Sequence, residues 1–104
     1  MRVDERFLNP AGVVQGGFLS AMLDSAMGAS AVTGAAGGRR VSVANTEMKV
    51  SFLRAAHLGD ELTCTARVLK AGSVISFLEG RIVNHRGELV ATASSSYLIR
   101  ERTE

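Results

Sequence analysis

The chain has little of what usually marks a specialised scaffold: one cysteine, one proline, no tryptophan, and aromatics at only 5% of its 104 positions. A lone Cys64 cannot close an intrachain disulfide, and it leaves structural zinc short of ligands. The core must then be held by aliphatic packing. Charge of one sign is scarce too: 12 Lys and Arg stand against 10 Asp and Glu, for a net +2. The arginines are scattered, which excludes the basic stripe of a nucleic-acid binder. The N-terminus MRVDERFLNP has no apolar stretch of a secretory signal, and with an unpaired cysteine this is the pattern of a reduced, cytoplasmic protein. Roughly 100 residues suffice for one core and not for two, so residues 1–104 are expected to form a single domain.

What the chain does have is a long stretch almost without charge. From Phe7 to Gly38 the only ionisable side chain is Asp24. Asn9, Pro10, Gln15, Ser20, Asp24, Ser25, Ser30 and Thr33 interrupt it, together with several glycines, so it lacks the 20 or so predominantly apolar residues of a membrane span. A helix from Phe18 to about Thr33 fits instead, with Leu19, Met22, Leu23, Ala26 and Met27 on one apolar face. Ser20, Ser25 and Ala29 opposite are hardly polar. A helix so poor in charge all round is covered by protein on most sides.

Downstream the periodicity changes to that of strands. Val41–Arg54, Glu61–Lys70, Val74–Asn84 and Glu88–Arg100 each read as strands, and Leu62, Cys64, Ala66 and Val68 alternate with Thr63, Thr65 and Arg67 as on a half-buried sheet. Leu89, Ala91, Ala93 and Ser95 repeat the alternation. Gly59, Gly72 and Gly87 mark tight connections, which predicts an antiparallel meander of four strands. A short strand over Phe7–Val14 is expected before the helix, and Gly34–Gly38 is the flexible passage into the sheet. The fold class is α+β, one long helix against an antiparallel sheet.

Chemistry concentrates where the helix begins. Gln15-Gly16-Gly17 places unsatisfied backbone amides at the positive end of the helix dipole, a geometry that suits an oxyanion. Asp24 is the one candidate base or carboxylate nucleophile nearby. Eight helical residues separate Gly16 from Asp24, about 12 Å, so the two cannot touch one carbonyl within a chain. Two helices packed antiparallel across a two-fold axis would bring Asp24 of one copy to Gly16 of the other. Such a homodimer also covers the helix face and sheet edges that one sheet leaves open.

The run Asn9-Pro10-Ala11-Gly12-Val13-Val14-Gln15-Gly16-Gly17-Phe18-Leu19-Ser20-Ala21-Met22-Leu23-Asp24 resembles the signature of hotdog-fold acyl-CoA thioesterases of the PaaI-like group. The resemblance continues through Val50-Ser51-Phe52-Leu53-Arg54, Leu58-Gly59-Asp60 and the last two strands. It implies a hotdog fold, with the helix wrapped by a curved antiparallel sheet, in a dimer or a dimer of dimers. It also implies hydrolysis of an acyl- or aryl-CoA thioester without metal or organic cofactor, coenzyme A being part of the substrate. Carried over by position, Asp24 matches the base or nucleophile, Gly16 the oxyanion donor and Asn9 the amide that orients water or substrate. Gly17, Asn45, Thr46 and Arg54 are the corresponding substrate-side positions: Asn45 and Thr46 stand where the family often has a hydroxyl assisting the water, and Arg54 is a candidate for the coenzyme A phosphates.

The departure from that signature is Gln15, which occupies the position of the motif His. An amide still donates a hydrogen bond to a thioester oxygen, but it cannot transfer a proton. Two readings follow: a thioesterase that uses Gln15 for positioning, or a protein of the same fold that binds acyl-CoA without hydrolysing it. Asp24 as a structural carboxylate across a dimer interface is the plainer alternative for that residue. A hotdog dehydratase is disfavoured, because no Asp and His pair is arranged for it. His57 and His85 sit beside glycine turns with no further ligand spaced to join them in a metal site.

Overall fold

The computed structural model describes residues 1–35 and 38–102. After a 3-10 turn at Glu5–Phe7 come helix α1 (Gly16–Thr33) and strands β1 (Val41–Phe52), β2 (Leu62–Ala71), β3 (Ile75–Asn84) and β4 (Leu89–Glu101). The helix therefore starts at the two glycines, two residues before the apolar pattern itself begins. Strand boundaries fall within two residues of those read from the sequence. Residues 36 and 37 of the expected Gly34–Gly38 passage lie outside the described residues.

All four strands join one antiparallel sheet in the order β1-β4-β3-β2. Only β2, β3 and β4 form a meander. The expected four-strand meander is corrected at β1, which leaves the helix and crosses to the far edge to pair with β4. The connection from β1 to β2, residues 53–61 with the Leu58-Gly59-Asp60 turn near its end, thus joins the two edges of the sheet. Alternation along β1 marks it as a strand but carries nothing about its neighbour. Helix α1 packs on all four strands, with Gly34 at its end beside Val68 of β2 and Asp24 at its middle beside Asn45 of β1.

One sheet face packs on α1. Leu19, Leu23, Met27 and Ala31, each four residues apart, are buried on the helix. They meet Leu62, Leu78, Ile82, Ala91, Ala93 and Tyr97 from the strands. Met22 and Ala26, expected on the same face, lie at its margin and are partly exposed. The alternation in β4 slips at a bulge between Ile82 and Val83, where Val90 becomes the extra residue. Val90 and Ala91 are both buried as a result, and Leu89 falls out of phase with Ala91. No described helix is long and apolar enough to cross a membrane.

The expected strand over Phe7–Val14 is a loop. Asn9 Oδ1 accepts from the amides of Ala11 (2.9 Å) and Val13 (3.2 Å), and Gly12 takes φ of 83° to close the turn. Single bridges at Leu8–Val14 and Val13–His57 are the only β pairing there. Pro10 lacks an N–H and Gly12 needs the left-handed region, so a continuous strand is excluded. Phe7 then meets Phe18 edge-on with centroids 5.0 Å apart, which sets the angle at which the chain enters the helix.

Candidate active site

The single chain covers α1 on the sheet side and leaves its outer face open, so the expected cover on most sides is not supplied within one chain. Gly17, Phe18, Ala21, Asp24, Ser25, Ala29 and Val32 are exposed in the single chain, and Asp24 is the one charge among them. Strand β1 runs antiparallel along this helix, so Asn45 comes beside Asp24 while Phe52 comes beside Gly16.

Around Asp24 the structure builds a hydrogen-bonded cluster. Tyr97 Oη lies 2.5 Å from Asp24 Oδ1 and 3.0 Å from the Asp24 carbonyl; with one proton to give, it donates to the nearer carboxylate oxygen. Asn45 Nδ2 donates to the same Oδ1 at 3.0 Å. Ser95 Oγ donates to the Glu47 carbonyl at 2.7 Å and stands 3.2 Å from Asn45 Oδ1. Oδ2 of Asp24 takes no hydrogen bond among the described residues. One oxygen is therefore tied to the sheet, and the other is left to accept from a ligand, on a residue that lines the open groove beside β1. A carboxylate held this way is pre-oriented to take a proton from water or to attack a carbonyl.

The bulge between Asn45 and Glu47 lies at this level of the sheet. It turns Asn45 toward the helix, whereas Thr46, the extra residue, pairs its hydroxyl with Ser96 at 2.9 Å and does not reach Asp24. The sequence-derived pair Asn45 and Thr46 is thus divided between two sides of the strand.

The helix N-terminus forms a second cluster. Gln15 caps α1 in extended conformation with an exposed side chain that makes no capping bond. The amides of Gly16 and Gly17 have no acceptor among the described residues, as first-turn amides of a helix do not. A Cβ on Gly16 would stand 3.1 Å from Phe52 Cζ, while one on Gly17 would meet nothing within 4 Å. Asn9 has its carboxamide oxygen engaged in its own loop and its Nδ2 without a partner among the described residues. Arg54, just past β1, pairs with Glu88 at 3.5 Å. Asn9, Gln15, Gly16 and Gly17 lie at this end of the helix, Arg54 is held at the start of β4 by Val90 and Glu88, and Asp24 with Asn45 lies halfway along the helix. Within one chain the structure does not bring the two clusters together. No described group of three or more His, Cys, Asp or Glu residues is placed to hold a metal.

Tyr97 and Ser95 were not singled out from the sequence. The available signal was that the chain's one tyrosine shares the inward phase of Ala91, Ala93 and Ser95. Tyr97 is 2% exposed. Burial first, then the hydrogen bond to Asp24 and its charge, lift the Tyr97 phenol well above its ordinary value of 10.0. A phenol kept protonated by the fold adds stability that is fully present below that ordinary value and lost as pH rises through the higher folded one. With no other tyrosine and no tryptophan, near-ultraviolet phenolate absorbance reads this group alone. Alkaline titration of the folded protein is expected to show no phenolate transition near pH 10.0 and a lower transition in Asp24→Asn. A wild-type transition at the ordinary value would break the Tyr97–Asp24 assignment.

Helix and curved antiparallel sheet together define a hotdog-fold domain. Residues 11–91 match the Thioesterase superfamily, and the chain belongs to that family. Mouse acyl-coenzyme A thioesterase 13 is 29% identical over 92 residues, covering 88% of this chain. The chain spans 64% of the length of that relative. Among solved structures, the Escherichia coli PaaI protein of the phenylacetic acid degradation operon superposes with a TM-score of 0.90 at 25% identity, over 99% of this chain and 71% of its own. The Streptococcus mutans protein smu.793, solved bound to acetyl-CoA, matches the fold with a TM-score of 0.91 at 18% identity, over 100% of this chain and 80% of its own.

Proposed function

We propose that this protein hydrolyses acyl-CoA thioesters at two equivalent sites, each shared by two copies of the chain. The observation that carries this reading is Asp24: a single carboxylate on an otherwise uncharged helix face and lining an open groove, with one oxygen held by Tyr97 and Asn45. In the proposed reaction Asp24 Oδ2 accepts a proton as water adds to the thioester carbonyl. The resulting oxyanion is held by the Gly16 amide of the second copy, at its helix N-terminus. The C–S bond then breaks, and the proton held by Asp24 passes to the departing sulfur, leaving the carboxylic acid and free coenzyme A. Gln15 and Asn9 of the second copy orient the ester, and Gly17 leaves room for it. Arg54 is proposed to meet the coenzyme A phosphates. The relative named as an acyl-coenzyme A thioesterase and the neighbour bound to acetyl-CoA support this substrate class.

Gln15 favours one competing reading, an acyl-CoA binder that does not turn its ligand over. Release of free thiol from aryl, short, medium and long acyl-CoA esters separates the two. Wild type is expected to hydrolyse at least one class, with Gln15→His changing kcat by less than about tenfold, since both side chains supply a hydrogen-bond donor. No thiol release from any ester by wild type, with hydrolysis appearing in Gln15→His, would establish the binder.

A further inference from the structure

A groove of about 590 Å³ opens at Asp24 and follows the C-terminal half of α1, between that helix and the beginning of β1. Its reacting end is polar, formed by Asp24, Asn45 and Tyr97. Beyond that end its walls are mostly apolar, Gly28, Ala29 and Val32 from the helix and Val41 and Val43 from the strand, with the small hydroxyls of Ser25 and Ser42 also lining it and Arg102 at the far mouth. Helix and strand give the same length independently. Asp24 to Val32 is about 12 Å at the helical rise, and Asn45 back to Val41 is about 14 Å at the strand rise. The two walls end together because α1 and β1 run antiparallel.

Gly28 is the residue whose identity the chain itself does not explain. Glycine weakens a helix interior relative to alanine. Yet a Cβ at Gly28 would come no closer than 3.7 Å to Tyr97, an ordinary contact. At Gly80 the same addition would crowd Leu23 and Met27 at 3.1 and 3.3 Å, and at Gly34 it would meet the Ser30 carbonyl at 3.0 Å. Those two glycines are required by their neighbours. Gly28 keeps space open one helical turn from Asp24, on the floor of a groove that starts at the reacting carboxylate.

We propose that this groove receives the acyl group, that Gly28 clears the carbons next to the thioester carbonyl, and that Val32 with Val41 sets the far limit. The site then selects linear medium-chain aliphatic acyl thioesters. A short acyl group leaves the valine wall uncovered, and a long one runs past it into solvent at Arg102. The inference rests on the thioester reading above for what reacts at Asp24, and it adds which part of the substrate lies where.

The test measures kcat/KM for butyryl-, decanoyl- and palmitoyl-CoA with wild type, Gly28→Ala, Gly28→Val, Val32→Ala and Val32→Phe. Equilibrium binding of the same three thioesters is measured in each variant carrying Asp24→Asn. Wild type is expected to prefer decanoyl-CoA. Val32→Phe should lower decanoyl turnover about tenfold relative to butyryl turnover, as excluding one or two methylenes from an apolar groove does. Val32→Ala should move the preference toward palmitoyl. Gly28→Val should weaken butyryl and decanoyl alike, with Gly28→Ala showing the same trend at a raised Tm, which separates groove filling from misfolding. A chain-length profile identical in all variants overturns the proposal. So does a Val32→Phe effect equal for all three esters and matched by weaker inhibition by free coenzyme A, because the pantetheine arm would then fill the groove. Failure of wild type to hydrolyse any ester refutes the hydrolase reading instead, and the binding series still decides the groove.

Discussion

Asp24→Asn is expected to fold, assemble and bind thioester normally, and to hydrolyse it about 10³-fold more slowly than wild type, the loss that removing a general base produces. The substitution is close to isosteric. Tyr97 and Asn45 can still donate to its carbonyl oxygen, so the cluster that positions position 24 survives while its capacity to take a proton does not. Thermal unfolding and thioester binding measured alongside turnover keep a folding defect from imitating a chemical one. Turnover within tenfold of wild type, in a variant that binds normally, would remove Asp24 from the reaction. A second substitution extends this to the shared site. Proline is well tolerated at the first position of a helix and has no N–H, so Gly16→Pro deletes one amide donor. Its contact there is with the far end of Phe52, an exposed and movable side chain. Each variant alone is expected to be inactive. A refolded equal mixture should recover about a quarter of wild-type activity, since half the dimers are mixed and each holds one intact site. A mixture as inactive as its components would mean that both residues act within one chain.

The largest expected loss of stability follows Leu23→Ala, about 3 kcal/mol by the usual cost of truncating a fully buried leucine. In a domain this size that lowers Tm by on the order of 10–20 °C. Leu23 is 0% exposed and packs where β3 offers no side chain: Leu23 Cδ2 would stand 3.1 Å from a Cβ on Gly80. Glycine below and rigid strands on either side leave little to collapse into the cavity. The same geometry supplies an internal control. Gly80→Ala alone should destabilise by crowding Leu23 and Met27, but the methyl group enters the vacated space in the double variant, so the two changes should be far from additive. Additive losses in denaturant unfolding would show that helix and strand do not meet there. Because Leu23 precedes Asp24, loss of its packing should also lower turnover in the variant that remains folded.

Much of this architecture is legible in the residues alone. A stretch with a single charge and apolar residues at helical spacing reads as a helix, and alternation bounded by glycine turns reads as half-buried strands. Asp24 stands out because it is the one charge in that stretch. Gln15-Gly16-Gly17 stands out because a helix must begin with unsatisfied amides. Local periodicity carries no information about which strand pairs with which, and for that reason the four-strand meander fails at β1. It equally misses the loop at Asn9, where one Asx turn and one left-handed glycine outweigh the apolar residues around them.

The sequence by itself determined the element types, the aliphatic core, the single carboxylate on the helix and its distance from the amide end. These depend on spacing along one chain, and spacing is written in the residue order. Only the tertiary structure decided that β1 lies at the far edge beside β4, that a bulge turns Asn45 toward Asp24 and Thr46 away, and that Tyr97, 73 positions further along the chain, donates to the same carboxylate. Those contacts join residues whose separation follows from strand order and register, which packing of the whole sheet against the helix selects and no local pattern encodes.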